Sequence, residues 1–197
     1  TNATDIFAAR ITPAGVIVDT NGFAVCTMTN EQFAPSVAAN GSDWLVVWQD
    51  HRFHNPSNGF PYPNVYGARV SSAGSVVDAA GIGISKAPRD QRYPAIDRDG
   101  STWLVAWEDS RNGDGNHDIY GARVGAAGAV LDPSGIAVSS APGQEQVPAV
   151  AWNGTSWLVA WQDLRSGVAQ AYGARVSSGG AVLDSSGIAL SSATSGQ

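Results

Sequence analysis

One internal repeat runs through almost all of the 197 residues. A Trp-rich segment reads WLVVWQDHR from Trp44, WLVAWEDSR from Trp103 and WLVAWQDLR from Trp157. Each copy follows a segment that begins with Pro and ends in a turn. Each copy also precedes the sequence Tyr-Gly-Ala-Arg-Val, a Gly-centred turn and a strand of the form Val-Asp to Ile-Ser. A repeat of about 50 residues indicates one supersecondary unit that is stacked several times.

Each unit contains four short apolar runs, which we name A to D in chain order. Turns rich in Gly, Asn, Asp and Ser separate the runs, and no segment has convincing helical periodicity, so each run is predicted to be a strand. Four-stranded units of this length are typical of β-propeller blades. A β-trefoil has shorter units, and a flat solenoid usually has a shorter period. We therefore expect an all-β chain in which four-stranded antiparallel blades form a β-propeller-like array.

The first unit has only its C and D strands. The expected boundaries within a single β-repeat domain are a partial blade over 1–34 and blades over 35–93, 94–147 and 148–197. Three explanations are open: a four-bladed ring with one two-stranded blade, a fragment of a longer propeller, or self-association that closes the incomplete blade through a second chain. Because open sheet edges favour aggregation, we favour a fragment of a longer repeat protein.

The apolar residues of strand B alternate between two faces. Trp44, Val46 and Trp48 are expected on one face, and Leu45 and Val47 on the other. Blades of a propeller pack face to face, so both faces are expected to be buried. Because the tryptophans recur in every unit, packing between blades is favoured over a sugar-binding platform.

The acids and arginines recur with the same regularity. Asp50 follows the second Trp of its segment, Arg52 ends the segment, and Arg69 lies in strand C, with equivalents in the other two units. We expect Arg–carboxylate pairs across the B–C hairpin. We also expect Asp78 to form a turn by accepting backbone hydrogen bonds. A catalytic centre needs one special site rather than three equal ones, so the repeat favours structural roles for these residues.

The connections that differ between the units are the candidate ligand sites. The longest follows Arg52 and carries Phe53, Phe60 and Tyr62 among prolines. Aromatic side chains on a stiff loop are suited to bind a sugar or a peptide. They are equally suited to cover an exposed edge of the core. Both interpretations stay open.

A second unequal connection carries several oxygen-bearing side chains. They fall at Ser110, Asn112, Asp114 and Asp118, with Gly115 after the first acid. This spacing resembles that of calcium loops, in which alternate side chains of a tight loop supply the ligands. Calcium is therefore the candidate cofactor, although a solvated turn explains the same residues. The three histidines have no metal-like spacing, so no zinc site is expected.

Composition excludes several classes of function. The net charge of −6 repels polyanions, so no nucleic-acid partner is expected. No apolar run approaches the roughly 18 residues of a membrane span. The N-terminus has no signal-peptide pattern, and we expect a soluble chain with no membrane insertion. Cys26 is the only cysteine, which excludes an intramolecular disulfide, and its apolar setting predicts a buried thiol.

The string WLVAWxDxR, followed by DIYGARV and a Gly turn, resembles repeats of large secreted or surface-attached bacterial proteins that are usually predicted to be β-propellers. The first unit departs from it, with Phe7 and Ala8 in place of Tyr and Gly. The resemblance implies an extracellular or cell-surface location and carries over no catalytic residue. We expect a non-catalytic binding or adhesion module that presents loops to a glycan or protein ligand. The alternatives are a glycan-acting hydrolase domain of propeller type and a structural spacer in a surface repeat array.

Overall fold

The computed structural model describes residues 4–52, 62–113 and 115–191. These ranges contain no α-helix, and hence no helix able to cross a membrane. Their regular structure consists of β1 (Ile6–Ala8), β2 (Phe23–Cys26), β3 (Gln32–Ala39), β4 (Asp43–Asp50), β5 (Asn64–Ser71), β6 (Ile82–Ser85), β7 (Gln91–Arg98), β8 (Thr102–Asp109), β9 (Asp118–Gly125), β10 (Ile136–Ser139), β11 (Glu145–Trp152), β12 (Ser156–Asp163), β13 (Gln170–Ser177) and β14 (Ile188–Ala189).

The strands form three four-stranded sheets and one two-stranded sheet, all antiparallel. Strands β1 and β2 make the half-blade, β3–β6 make blade 1, β7–β10 make blade 2 and β11–β14 make blade 3. Within each full blade the strands are ordered as in the chain, from A to D. The predicted all-β, propeller-like array of four-stranded blades with a leading half repeat is confirmed.

The core lies between the blades. Leu45 and Val47 of blade 1 pack against Trp103, Val105 and Trp107 of blade 2. Blade 2 meets blade 3 in the same way, and the half-blade packs on the Trp-bearing face of blade 1. A buried Trp removes on the order of 200 Å² from water, so the Trp rows supply much of the apolar contact. The predicted alternation is confirmed, and the tryptophans of β8 and β12 pack between blades as predicted. The predicted burial of both faces is wrong for blade 3, where Leu158 is 36% exposed because no further blade packs on that face in the described ranges.

Each A strand contains a bulge at the same position. The register between strands A and B shifts there in all three blades. The backbone at the shift adopts the left-handed region, which side-chain-bearing residues rarely adopt. The residues concerned are Ala34 (φ 48°), Tyr93 (φ 50°) and Val147 (φ 50°). Because the bulge recurs, it belongs to the repeat unit itself.

Candidate functional site

A Trp–Asp–Arg–Tyr cluster closes one end of every full blade. In blade 2, Trp107 Nε1 donates to Asp109 Oδ2 at 2.7 Å, and Arg111 Nε and Nη2 donate to the two carboxylate oxygens at 2.9 and 2.6 Å. The Arg111 guanidinium carbon lies 3.9 Å from the centre of the Tyr120 ring, and its Nη1 donates to Ser134 O at 2.7 Å. Asp109 is completely buried and both of its oxygens are bonded. The cluster therefore stabilises the blade, as the recurrence of the acid and the arginine in every unit predicts.

The arginines of strand C do not pair as predicted. Asp50 is bonded by Arg52 at 2.8 and 2.6 Å, so the expected pair across the B–C hairpin is wrong. The reason is register, since Arg69 lies opposite Leu45, near the other end of the hairpin. Arg69 Nε and Nη2 instead donate to Asp78 at 2.8 and 2.9 Å. Asp78 also accepts the backbone N–H of Arg69 at 3.0 Å, the kind of bond expected for it.

These Arg–Asp pairs also join neighbouring blades. In the half-blade and the first two blades, the strand-C arginine donates its Nη1 to a backbone carbonyl of the next blade. The bonds are Arg10 to Ser72 at 3.0 Å, Arg69 to Ala126 at 3.2 Å and Arg123 to Ser178 at 3.0 Å. The equivalent Arg175 of blade 3 keeps its bond to Asp184 at 2.9 Å but is half-exposed. The repeated arginines therefore act between blades as well as within them.

The predicted aromatic ligand site is described only in part. Tyr62 is half-buried, whereas Phe53 and Phe60 lie outside the described residues. Whether these side chains bind a ligand or cover the core stays a prediction.

The predicted calcium ligands are only partly brought together. Asn112 Nδ2 donates to Asp118 Oδ2 at 2.7 Å, and burial raises the pKa of Asp118. The Ser110 hydroxyl instead accepts the backbone N–H of Asp90 at 3.0 Å, and Asp114 lies outside the described residues. Within the described ranges, no group of three His, Cys, Asp or Glu side chains could hold a metal ion. Calcium binding stays a prediction.

The residues that distinguish the otherwise equal blades meet where strand A begins and strand B ends. Near the end of strand B, one blade has an acid and the other two have an amide: Gln49, Glu108 and Gln162. The start of strand A shows the same pattern: Gln32, Gln91 and Glu145. Neither acid is among the site residues predicted from the sequence. Aligning the units and searching for an acid in a repeated amide position would have found them.

Glu108 lies at the boundary between blades 2 and 3 and is 4% exposed. Its Oε1 is 2.5 Å from His117 Nδ1, and its Oε2 accepts the backbone N–H of Val147, in the bulge of β11, at 3.4 Å. Arg92 lies opposite Glu108 in the register of β7 and β8 and forms an ion pair with Asp90. Two carboxyl groups, one imidazole and one guanidinium are thus held at the same end of blade 2.

A second polar group lies at the boundary between blades 1 and 2. Gln49 Nε2 and His51 Nε2 are 2.9 Å apart. Burial lowers the pKa of His51, and the nearby charges of Glu31, Arg92 and Asp90 act on it in opposing directions. At neutral pH the imidazole is therefore mainly uncharged. The two boundaries together form a polar, titratable rim at one end of the array.

Glu145 is completely buried. The Ser139 hydroxyl donates to its Oε1 at 2.5 Å, Arg165 Nη2 lies 3.3 Å from the same oxygen, and its Oε2 is without a partner. Burial raises the pKa of Glu145 to about 7, and the charge of Asp163 acts in the same direction. The hydrogen bonds of Glu145 run to Ser139 and Arg165 inside the boundary, so we assign this residue to the packing of blades 2 and 3.

No protein-family model and no curated protein matches this sequence. Solved structures do match the fold. The crystal structure of an α-L-arabinofuranosidase from Lactobacillus brevis is 10% identical with a TM-score of 0.60, over 96% of this chain and 68% of that one. A thermostable family-43 glycoside hydrolase is 7% identical with a TM-score of 0.56, over 97% and 73%. A glycosyl hydrolase from Bacteroides ovatus is 10% identical with a TM-score of 0.51, over 96% and 62%.

At these identities the likeness shows a common fold and assigns no role to any residue. It nevertheless changes the order of the functional hypotheses. The expected non-catalytic binding or adhesion module is wrong on this comparison, because these solved structures of the same fold are glycoside hydrolases. The alternative of a glycan-acting hydrolase domain of propeller type agrees better with them.

Proposed function

We propose that this chain is a glycan-acting hydrolase domain of propeller type, with Glu108 and Asp90 as its reactive carboxyl pair. The observation that carries the proposal is the placement of Glu108. This acid stands where the other blades have Gln, contacts the imidazole of His117, and lies at the end of the array where the blades differ.

Cleavage of a glycosidic bond uses two carboxyl groups. One protonates the leaving oxygen, and the other activates water or attacks the anomeric carbon. Glu108 suits the first role because its Oε1 lies 2.5 Å from the imidazole of His117, which places a second acid–base group beside it. Asp90 suits the second role because its carboxylate is paired with the permanent charge of Arg92.

The substrate class to test first is polysaccharides that contain arabinofuranosyl groups. The support for this choice is the fold shared with the Lactobacillus brevis α-L-arabinofuranosidase. A polymeric substrate also accords with the extracellular or cell-surface location that the sequence resemblance implies.

The test is sugar release from arabinan, arabinoxylan and an aryl arabinofuranoside. We expect turnover by the wild-type chain and a loss of about 100-fold or more in kcat for Glu108→Gln and for Asp90→Asn. The matched control is Asp43→Asn, which removes a carboxyl group from the opposite end of a blade and is expected to keep full activity. Absence of turnover by the wild-type chain on all three substrates would refute the proposal. Equal turnover by the two rim variants and the wild type would refute the assignment of the carboxyl pair.

A further inference from the structure

The half-blade has a free strand edge. Strand β1 occupies the position of strand C, and its one neighbour in the described sheet is β2. The equivalent strands β5, β9 and β13 pair along eight residues with a B strand on their other side. The outer backbone groups of β1 are therefore free to pair with a further strand.

The apolar side chains along this edge are uncovered. Phe7 is 60% exposed and Ile11 is 64% exposed. The equivalent residues of blade 1, Tyr66 and Val70, are each 3% exposed, because they lie beside Trp48 and Trp44 of the paired B strand and belong to the cluster that joins blade 1 to the half-blade. The repeat itself thus shows which strand lies beside these positions in a complete blade.

The facing surface of blade 1 is uncovered in the same way. Val37 is 58% exposed, whereas the equivalent Ile96 is 8% exposed because blade 1 packs on it. Trp103 is buried and its Nε1 donates to Ala38 O of the preceding A strand at 3.1 Å. Trp44, the equivalent of Trp103, is half-buried and has no preceding A strand in the described part of the chain. Between this surface and β1 lies a mainly apolar groove of about 650 Å³, which we call the half-blade groove.

We propose that the half-blade groove binds a β-hairpin of the repeat's own A–B type, which pairs with β1 and completes a four-stranded blade. The second strand of this hairpin has the form Trp-x-Val-x-Trp and pairs antiparallel with β1. Its tryptophans lie beside Phe7 and Ile11 as Trp48 and Trp44 lie beside the equivalent residues of blade 1. The first strand of the hairpin, of type A, supplies a backbone carbonyl that accepts a hydrogen bond from Trp44 Nε1. Main-chain hydrogen bonds to an open edge give affinity, and alternate side chains give specificity.

The strand pairing in the three full blades limits what can bind in the half-blade groove. A second folded copy of this chain does not fit, because each of its B strands already has neighbours on both sides. The occupant must therefore be a strand pair that is not yet part of a sheet. Its apolar faces extend the contact that already joins the half-blade to blade 1 through Val25, Trp48 and Tyr66.

The test uses a labelled synthetic peptide with the sequence of residues 145–165, which is the A–B segment of blade 3. Its binding to the full chain is followed by fluorescence anisotropy, and strand pairing by hydrogen exchange of the β1 amides. We expect saturable binding and slower exchange in β1. Ile11→Asp is expected to weaken binding about tenfold or more, since it removes an apolar contact of a buried strand.

Two controls distinguish strand pairing from nonspecific hydrophobic binding. Leu158→Asp changes an exposed Leu on the open face of blade 3 and is expected to leave binding unchanged. A peptide with Ser in place of both Trp157 and Trp161 is expected not to bind. The proposal is overturned by absence of binding, by binding without slower exchange in β1, or by equal binding to wild type and Ile11→Asp.

Discussion

Glu145 accepts a hydrogen bond from the Ser139 hydroxyl. The equivalent residue of the preceding blade, Gln91, donates a hydrogen bond with its side chain instead. Gln91 Nε2 donates to the carbonyls of Pro88 and Arg89 at 3.2 and 2.9 Å. An ionised Glu has no proton to donate there, and its second oxygen is buried without a partner. The stability of the blade 2–3 boundary therefore depends on the protonation of Glu145.

We predict that Glu145→Gln stabilises the protein at neutral and higher pH. The pKa of Glu145 is about 7 in the folded chain, against 4.5 for an unperturbed Glu, so the folded chain binds this proton more tightly than the unfolded chain. The resulting stability is fully present below about pH 4.5 and is lost as the pH rises through 7. Above that pH the variant should gain about 3 kcal/mol over the wild type. Urea unfolding between pH 5 and 8 measures the difference; a difference independent of pH would contradict the prediction.

We predict that the arginine contacts between blades stabilise the array. Arg123→Ala removes the bond to Ser178 of the next blade together with the Asp132 pair. It should lower the free energy of unfolding by about 2 kcal/mol. Arg175→Ala removes the same kind of pair with Asp184 at a half-exposed position and should cost clearly less. Denaturant titration of both variants measures this, and equal losses would refute the role between blades.

We predict that calcium raises the unfolding temperature through the loop that contains Asn112 and Asp118. Asn112 Nδ2 donates to Asp118 Oδ2 at 2.7 Å, so the side chains of two of the predicted ligands are in contact. Thermal melts with added calcium and with chelator measure the shift, and Asp114→Ala is expected to abolish it. A midpoint that calcium and chelator leave unchanged would identify the segment as a solvated turn.

Much of the fold is predictable because the repeat makes each strand visible three times. The alternation of Trp44, Leu45 and Val46 is enough to assign each residue to one of two buried faces. The pairing of Arg69 was not predictable in this way. It depends on the register between strands, which brings Leu45 rather than Asp50 opposite Arg69.

The candidate site is harder to predict, because its residues are those that depart from the repeat. Glu108 is one acid among many in the sequence, and its proximity to His117 requires the connection between β8 and β9 to fold back. The bulge that brings the backbone of Val147 to Glu108 is likewise set by tertiary structure. Comparing repeat units position by position reveals the two unusual acids, but not their surroundings.

Glu108 and Asp109 offer the most direct test of the central claim, which is that the acid repeated in every blade stabilises the blade whereas the unequal Glu108 performs the chemistry. Both the unfolding temperature and kcat/KM on arabinofuranosyl substrates are to be measured for Glu108→Gln and Asp109→Asn. We expect Glu108→Gln to keep the wild-type stability, since Gln occupies this position in two blades, and to lose activity about 100-fold. We expect Asp109→Asn to lose about 3 kcal/mol of stability, because Arg111 loses its buried partner, while the folded fraction stays active. The reverse pattern, with activity lost at Asp109 and retained at Glu108, would contradict the account.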